Sequence, residues 1–422
     1  MSLLDETHDP NRQSWVSSAN EVSTDFPVQN LPFGVYRKRG DDGPFRTCTA
    51  IGDQVFDLAA IDGPQGSTLN DLAAAGQGVW RDLRAKLFAA LTDEGQKPTL
   101  SHYLTPMSDV EMGLPVSCGD YTDFFTSWYH AYNAGRLFKP DEPVSPNFKW
   151  LPCGYNGRAS SVVLSETDVM RPHGQRAMPG QPVPDFGPSA FLDYEAELGL
   201  VIGPGNGLGS SIPIDQAENH IFGVVLLNDW SARDLQAWEY QPLGPFLSKG
   251  FATTISPWIV TMEALAPFRK PGFTRFDGDP EPMPHLESDR NKAAGHLGIE
   301  IETWLQPETG GPATQLASAP YDSSYWTPSQ MIAHHSSNGC PLRPGDILGT
   351  GTISGPEPEQ AGSMLELSKA GREPVQLDGG GERRALEDGD TVTLRARCQD
   401  TDRRSIGFGS ATGKITSAAT AV

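Results

Sequence analysis

At 422 residues the chain is long enough for two domains and a large buried core. Its 53 Asp and Glu residues outnumber its 32 Lys and Arg residues, and the net charge of -21 disfavours nucleic acid and anionic lipid as partners. The first residues lack a basic stretch followed by an apolar one, and no segment is apolar for long enough to span a bilayer, so we expect a cytoplasmic protein.

The cysteines favour a reducing compartment. They are odd in number and scattered, without a CxxC pair, at Cys48, Cys118, Cys153, Cys340 and Cys398. This spacing disfavours a structural zinc site, so we expect buried free thiols.

Short β units and one helix are predicted up to about residue 118. The segment AIGDQVF is typical of a hairpin that turns at Gly52–Asp53. Apolar residues at helical spacing predict the helix, namely Trp80, Leu83, Leu87 and Leu91. The Gly and Pro residues of SDVEMGLPVSCGD then break the pattern, so we place a domain boundary there, between residues 1–118 and 119–422.

The segment YTDFFTSWYHAYNAGRLF predicts a helix after this boundary. It would begin near Thr122 or Asp123 and end at Gly135. His130 follows Asp123 by seven residues, which is about two helical turns, so we expect a carboxylate and an imidazole on the same side.

Two later segments alternate acidic and apolar residues as strands do. In LDYEAELGLVI the acids are Asp193, Glu195 and Glu197, and in GIEIETW they are Glu300 and Glu302. Side chains alternate between the faces of a strand, so each segment gathers its acids on one face. Periodicity alone does not distinguish the two, and a solvated polar face is the simpler interpretation of either unless further acids converge on it.

The next segments add a further acid and a polar helix face. IFGVVLLND predicts a strand that ends at Asp229, and SARDLQAWEY predicts a helix capped by Ser231. On that helix Arg233, Gln236 and Tyr240 are expected to share one face.

The remaining pattern favours a β-rich fold. YWTPSQMIAHHSSNG predicts a helix with a capping box at Thr327 and Gln330 and an end at Gly339, and TVTLRARC predicts a strand. Strands outnumber helices without the regular alternation of a doubly wound sheet, so we predict an α+β class.

Several catalytic motifs are absent or incomplete. The glycines of GPGNGLGSS are followed by Pro and Ser where a phosphate-binding helix would begin, so we expect a turn. The sequence has no GxSxG or HExxH motif, and the adjacent His334 and His335 would not face one metal from the same side of a helix. We expect these two histidines to pack or to form hydrogen bonds.

Eight segments between about Ser14 and Ser417 together resemble the fumarylacetoacetase (fumarylacetoacetate hydrolase) family in order and spacing. They are DFPVQNLPFGVY, GDYTDFFTSWYHAYNAG, LPCGYNGRASS, LDYEAELGLVIGPGN, HIFGVVLLNDWSARDLQAWEYQPLGPFLSKGFATTISPW, HHSSNGC, GTGTISGPEPEQAGSMLELS and RSIGFG. The resemblance implies metal-dependent hydrolysis of a carbon–carbon bond of 4-fumarylacetoacetate, giving fumarate and acetoacetate in the last step of tyrosine and phenylalanine catabolism.

The resemblance also implies an architecture. Residues 1–118 would form a small SH3-like β-barrel, and residues 119–422 a larger β-roll catalytic domain. The family pattern further implies a homodimer formed through the larger domain.

The resemblance implies a divalent cation, Ca²⁺ or Mg²⁺, held by four carboxylates. The matching positions are Asp123, Glu195, Glu197 and Asp229. Ligands that are all oxygen select a hard cation, which agrees with this choice. Lys249 and Thr253 match a secondary cation site, whereas Glu300 and Glu302 match no ligand of the family.

The family's catalytic and substrate-contacting positions are also present. His130 matches the general base, oriented by Glu366, and Arg233, Gln236 and Lys249 match groups that stabilise the oxyanion. The substrate-contacting positions are matched by Phe125, Lys139, Tyr155, Tyr240 and Thr352.

Three positions depart from the family pattern. Phe125 stands where a tyrosine is common, Lys139 where an arginine grips the substrate carboxylate, and Asn156 where a histidine is found. A lysine is a point charge that does not make the two-pronged contact of arginine. These departures affect the expected affinity and exact substrate but not the reaction class.

Two other functions stay open. A related acylpyruvate-type diketone hydrolase would use the same catalytic core, although such relatives usually lack the N-terminal domain. A non-catalytic calcium-binding relative would not need His130, Glu366 and Lys249, and all three are present.

Overall fold

The computed structural model describes residues 4–177 and 180–420. Strands outnumber helices within these ranges, which confirms the predicted β-rich mixed class. No helix among the described residues combines the length and the apolar character needed to cross a bilayer.

The first sheet lies within residues 33–112. It is antiparallel with the strand order β4-β3-β2-β1-β5. Its strands are β1 (Phe33–Lys38), β2 (Arg46–Ile51), β3 (Gln54–Asp57), β4 (Leu104–Pro106) and β5 (Val110–Met112), and the helices α1 (Asn70–Ala74), α2 (Gln77–Thr92) and α3 (Lys97–Leu100) connect β3 to β4.

The predicted hairpin and helix of this part are confirmed. Ile51 pairs with Gln54, so the chain turns at Gly52–Asp53, and Gly52 has a left-handed φ of 59°. The four apolar residues that predicted α2 are buried in its core-facing side. The segment SDVEMGLPVSCGD, where the pattern was expected to break, contains β5, which pairs with β1.

The later part of the chain contributes the remaining elements. Its helices are α4 (Trp128–Phe138), α5 (Ile214–Ala217), α6 (Arg233–Glu239), α7 (Met262–Leu265), α8 (Asp289–Ala294), α9 (Pro328–Ser336) and α10 (Met364–Leu367). Its strands are β6 (Tyr121–Phe125), β7 (Cys153–Asn156), β8 (Val162–Leu164), β9 (Val169–Met170), β10 (His173–Arg176), β11 (Asp185–Pro188), β12 (Leu192–Asp193), β13 (Ala196–Ile202), β14 (Ile221–Asp229), β15 (Ser231–Ala232), β16 (Thr253–Ile255), β17 (Val260–Thr261), β18 (Arg269–Lys270), β19 (His296–Leu297), β20 (Glu300–Gln306), β21 (Thr314–Pro320), β22 (Ile347–Gly349), β23 (Val375–Gln376), β24 (Glu382–Arg383), β25 (Thr391–Cys398) and β26 (Ile406–Thr416).

A central eight-stranded sheet organises this part. Its order is β7-β6-β22-β13-β14-β16-β8, with β17 also paired to β14. One face shares a hydrophobic core with the first sheet and α2, and the other shares a core with the five-stranded sheet β21-β20-β25-β26-β9. The middle strands β13 and β14 are buried at every position, because both of their faces are covered.

The helix predicted from Thr122 or Asp123 is wrong in its first half. Residues Tyr121–Phe125 form β6, and α4 begins only after Ser127, whose hydroxyl accepts a hydrogen bond from the His130 backbone N–H at 3.2 Å. β6 pairs with β22 on one side and β7 on the other, so pairing with distant strands overrides the local helical pattern. The helix also continues past Gly135 to Phe138.

Two predictions for residues 192–240 also need correction. The expected strand LDYEAELGLVI is interrupted at Tyr194 and Glu195, which separate β12 from β13. Ser231 does not cap α6, because Ser231 and Ala232 form β15 and the Ser231 hydroxyl donates to the Asp229 carbonyl at 3.0 Å.

Other local predictions are confirmed in full or in part. Thr327 and Gln330 form the expected capping box of α9, which ends at Ser336, three residues before Gly339. The glycine-rich segment 203–209 opens no helix. Cys48 and Cys398 are buried free thiols, whereas the other three cysteines are partly exposed.

A buried carboxylate cluster as candidate metal centre and active site

Four carboxylates that the sequence scatters over a hundred residues meet in the central sheet. Asp123, Glu195, Glu197 and Asp229 each offer an oxygen within 4.8 Å of the others, and none is more than 6% exposed. Within residues 4–177 and 180–420 no other group of three or more His, Cys, Asp or Glu side chains converges in this way. The acids predicted as metal ligands therefore lie together.

Each acid reaches the cluster from a different element, and three of the four lie on strands of the central sheet. Asp123 lies on β6, Glu197 on β13 and Asp229 at the end of β14. Glu195 lies in the two-residue break between β12 and β13, so the interruption of the predicted strand places the fourth carboxylate at the cluster.

Two cationic side chains contact one side of this cluster. Lys249 Nζ lies 2.6 Å from Glu195 Oε2 and 2.8 Å from Asp229 Oδ2. Arg233 Nη1 lies 2.7 Å from Glu195 Oε1. Thr253 adds a hydroxyl that donates to Asp229 Oδ1 at 2.9 Å, so the two residues predicted as a secondary cation site, Lys249 and Thr253, both bind Asp229.

Positive side chains compensate the negative charge of some cluster carboxylates more than that of others. Burial raises the pKa of Glu195, but Lys249, Arg233 and His130 together hold this pKa below its ordinary value. Burial raises the pKa of Asp123 and of Glu197 far above the ordinary range, and neighbouring carboxylates raise both further. Positive charge is therefore most needed beside Asp123 and Glu197.

Unpartnered oxygens lie at the same two residues. Asp123 Oδ1 and Glu197 Oε1 are buried and accept no hydrogen bond. An unpaired buried carboxylate oxygen is costly, and a hard cation is the partner that such an all-oxygen set favours. The residues present thus fit a divalent cation.

Asp193 does not join the cluster, although it was expected on the same face as Glu195 and Glu197. Its carboxylate accepts from Arg233 Nε at 2.8 Å and from the backbone N–H groups of Met364 and Leu365 at 2.7 and 3.0 Å. Asp193 therefore fixes Arg233 and the start of α10.

His130 and Glu366 form a close pair beside the cluster. His130 Nδ1 lies 2.6 Å from Glu366 Oε2, and both side chains are buried. Burial raises the pKa of Glu366, but His130 and other hydrogen-bond donors hold it below its ordinary value. An ionised Glu366 accepts the Nδ1 proton and leaves the lone pair on His130 Nε2.

Three further residues hold Glu366 in place and were missed in the sequence analysis. Asn133 Nδ2 donates to Glu366 at 3.1 Å, and the hydroxyls of Ser354 and Ser363 donate at 2.9 Å. Asn133 follows His130 by three residues on α4, and Ser363 precedes Glu366 by three residues as a helix cap. These spacings are local signals for Asn133 and Ser363.

Two predicted substrate positions contact the cluster or the predicted base, and a third is buried. Tyr155 Oη donates to Asp229 Oδ2 at 2.9 Å. Thr352 is buried and its hydroxyl has no partner, and the Phe125 ring packs edge-on against the His130 ring with centroids 5.4 Å apart. Phe125 therefore contacts the predicted base directly.

Other predicted positions do not contact the cluster. Lys139 is exposed just after α4, and Tyr240 follows α6 and is 42% exposed, with Gln241 as its hydrogen-bond partner. On the same helix Arg233 Nη1 and Gln236 Oε1 are 3.1 Å apart, so only two of the three residues expected on one face interact. Asn156 is exposed at the end of β7.

His334 and His335 pack or form hydrogen bonds, as predicted, and Glu300 and Glu302 lie outside the carboxylate cluster. His335 Nε2 lies 2.9 Å from the Thr122 hydroxyl, and His334 packs near His285. Glu302 accepts from Trp304 Nε1 at 2.9 Å, and Glu300 is exposed on β20.

Two family models match the chain. The model described as fumarylacetoacetase N-terminal matches residues 29–115, and the one described as fumarylacetoacetate (FAA) hydrolase C-terminal matches residues 127–416. Together they cover the first sheet and three of the four clustered carboxylates, whereas Asp123 lies between the two matched ranges.

Curated proteins are similar over nearly the whole chain. The fumarylacetoacetase of Oryza sativa subsp. japonica is 46% identical over 414 residues, covering 92% of this chain and 94% of that protein. The fumarylacetoacetase of Homo sapiens is 45% identical over 413 residues, covering 93% and 96%.

A solved structure shares the fold. The fumarylacetoacetate hydrolase from psychrophilic Exiguobacterium antarcticum has a TM-score of 0.54 and covers 92% of this chain and 99% of its own. At 16% sequence identity this likeness concerns the fold alone.

Proposed function

Because this chain belongs to the fumarylacetoacetate hydrolase family, we propose that it hydrolyses 4-fumarylacetoacetate to fumarate and acetoacetate. Its identity of about 45% to fumarylacetoacetases over more than nine-tenths of the chain is the observation that supports this most strongly. The chain is a hydrolase, and its reaction would complete tyrosine and phenylalanine catabolism.

The cation would be held by Asp123, Glu195, Glu197 and Asp229, and we propose Ca²⁺ or Mg²⁺. A divalent cation held there would supply Lewis-acid stabilisation of the negative charge that develops on the diketone as the carbon–carbon bond breaks.

His130 would act as the general base. Glu366 holds the Nδ1 proton, so Nε2 is free to take a proton from water while the water oxygen attacks the substrate carbonyl. The carbon–carbon bond then breaks with its electron pair on the acetoacetate carbon, which takes up a proton. Protonated His130 is a suitable donor for this last transfer.

Arg233, Gln236 and Lys249 would stabilise the oxyanion. Arg233 Nη2 is buried without a partner, so this N–H group is available to a substrate oxygen. Burial lowers the pKa of Lys249, but Asp229 and Glu195 raise it above its ordinary value. Lys249 is therefore held as a cation, which favours charge stabilisation over proton donation.

The substrate would be contacted by Tyr155, Tyr240, Thr352, Lys139 and Phe125. Lys139 would meet the substrate carboxylate as a single charge, and Phe125 offers no hydroxyl. Lys139 and Tyr240 are both exposed, so both side chains are accessible to a substrate that enters from solvent.

We further propose the domain division at residues 1–118 and 119–422, with an SH3-like barrel in the first part. The five antiparallel strands within residues 33–112 support this division. A homodimer and a cytoplasmic location complete the proposal and rest on the family resemblance and the sequence.

A direct assay tests the proposed function. Purified protein is stripped of cations with EDTA, supplied with Mg²⁺ or Ca²⁺, and mixed with fumarylacetoacetate while the diketone absorbance is followed. We expect absorbance loss that needs the cation and yields equal amounts of fumarate and acetoacetate.

The same assay distinguishes the alternatives. Cleavage of an acylpyruvate with no action on fumarylacetoacetate would indicate the related diketone hydrolase. Tight cation binding without turnover of either compound would indicate a non-catalytic protein.

A further inference from the structure

The order of strands in the central sheet poses a geometric problem for the carboxylate cluster. Asp123 lies on β6 and Glu197 on β13, and β22 runs between these two strands. Neighbouring strands lie about 4.8 Å apart, so two strands separated by a third lie roughly 10 Å apart. The ligand oxygens of the two acids nevertheless lie within 4.8 Å of each other.

Gly349 is the residue of β22 at the crossing point. It is paired with Asp123 on one side and with Gly199 on the other. A Cβ atom built on Gly349 would lie 2.7 Å from Asp123 Oδ1 and 3.0 Å from Glu197 Oε2. The two carboxylates therefore meet in the space that a side chain at residue 349 would fill.

Tyr121 reaches the same space. It precedes Asp123 by two residues on β6 and so shares its face of the sheet. Its hydroxyl would lie 3.1 Å from a Cβ on Gly349, and it is buried without a hydrogen-bond partner. A buried hydroxyl beside two carboxylates is a donor that lacks only a fixed acceptor.

We propose that Gly349 and Tyr121 are positioning residues of the cation site. Gly349 lets Asp123 and Glu197 meet across β22, and the Tyr121 hydroxyl donates to these carboxylates once a bound cation fixes them. The inference rests on the proposed function, since it assumes that the cluster holds a divalent cation.

Gly349→Ala is a suitable test because the change is confined to the site. The φ of Gly349 lies outside the left-handed region, so alanine is compatible with its backbone. The atoms that its methyl group would displace are the ends of three side chains. We expect the affinity of cation-free protein for Mg²⁺ and Ca²⁺, measured by titration calorimetry, to fall at least about tenfold.

Gly199→Ala is the matched control. Gly199 is the β13 partner of Gly349, and the three atoms nearest to its added methyl group belong to the apolar side chains of Val225, Ile347 and Leu227. We expect this variant to lose thermal stability while its cation affinity stays near that of the wild type. Equal loss of affinity in both variants would overturn the proposal, because the effect would then reflect general damage to the sheet.

Tyr121→Phe tests the hydroxyl separately and does not depend on the folding of Gly349→Ala. We expect roughly tenfold weaker cation binding with a nearly unchanged melting temperature of the cation-free protein, because the hydroxyl has no partner there. If Gly349→Ala does not fold, this titration decides alone, and an unchanged affinity overturns the proposal.

The outcomes also separate this inference from the proposed function. A wild-type protein that binds no Mg²⁺ or Ca²⁺ would contradict both. A wild type that binds the cation, together with a folded Gly349→Ala and a Tyr121→Phe that bind it equally well, would overturn only the positioning role.

Discussion

The segments around Glu197 and Glu302 have the same alternation of acidic and apolar residues but opposite surroundings. Glu197 is fully buried among three other carboxylates, whereas Glu302 lies half-buried on β20 and pairs with Trp304 of its own strand. The difference comes from the neighbours. β13 runs between β14 and β22 and is buried at all seven positions, whereas β20 alternates between buried and accessible positions.

This comparison shows that an acidic alternation identifies a strand but not its function. Glu197 belongs to a candidate metal site because Asp123 on β6 and Asp229 on β14 lie close to it. The residues that pair with Glu302 on the neighbouring strands β21 and β25 are Ser318 and Arg395, and neither is an acid.

The largest contrast is expected from removing one charge in each segment. Glu197→Gln should lower cation affinity by more than about 100-fold, the upper figure for residues that only support a ligand, and should abolish turnover. Glu302→Gln removes the same charge from a strand of the same pattern and should leave both unchanged. Titration of the cation-free variants with Mg²⁺ or Ca²⁺ checks this. A similar loss of affinity in both variants would contradict the different roles of Glu197 and Glu302.

A second variant separates cation binding from chemistry inside the buried region. His130→Ala should lower kcat by roughly 100- to 10,000-fold, as expected for loss of a general base. Its cation affinity should stay near that of the wild type, because the imidazole is not among the four converging carboxylates. Weaker cation binding in this variant would contradict the assigned role.

A third variant sharpens the contrast between buried and accessible acids through pH. The fold holds the pKa of Glu366 below its ordinary value of 4.5, so Glu366 contributes stability that is present above pH 4.5. This contribution is lost as the pH falls through the lowered pKa. Urea denaturation of the wild type and Glu366→Gln should therefore show a stability difference at pH 7 that shrinks below pH 4.5.

The control for this experiment is again Glu302→Gln. It should unfold with nearly the wild-type free energy at pH 7, within about 0.5 kcal/mol, as is usual for accessible substitutions. A Glu366→Gln difference that grows on acidification would show that the sign of the pKa shift is wrong.

The smallest effect is expected at an exposed position. Lys139→Arg restores the two-pronged donor of the family pattern, so KM for fumarylacetoacetate should fall several-fold with little change in kcat. An unchanged KM would remove Lys139 from the substrate pocket.

Local signals predicted those elements whose determinants lie within the element itself. The capping box of Thr327 and Gln330 and the unbroken apolar run of β14 both gave the observed element. The segment at Thr122 failed, because β6 exists through its pairing with β22 and β7, which lie far away in sequence. Tertiary pairing overrode the local pattern there.

The residues of the candidate site were predicted by the family resemblance rather than by the periodicity of the sequence. Periodicity grouped Asp193 with Glu195 and Glu197, yet the break after β12 turns Asp193 towards Arg233 and α10. Gly349 gave no signal, since its contribution is an absent side chain that matters only once β22 lies between β6 and β13.

The position of a bound ion is the most direct test of the proposed cation site. Crystals of cation-stripped protein soaked in Mn²⁺ locate the ion by its anomalous scattering, and Mn²⁺ suits the same carboxylate ligands as Mg²⁺ and Ca²⁺. We expect one ion bound by oxygens of Asp123, Glu195, Glu197 and Asp229 at about 2.0–2.6 Å, next to Gly349. A folded protein that binds Mn²⁺ at another place, with no ion at these four carboxylates, would contradict the proposed cation site.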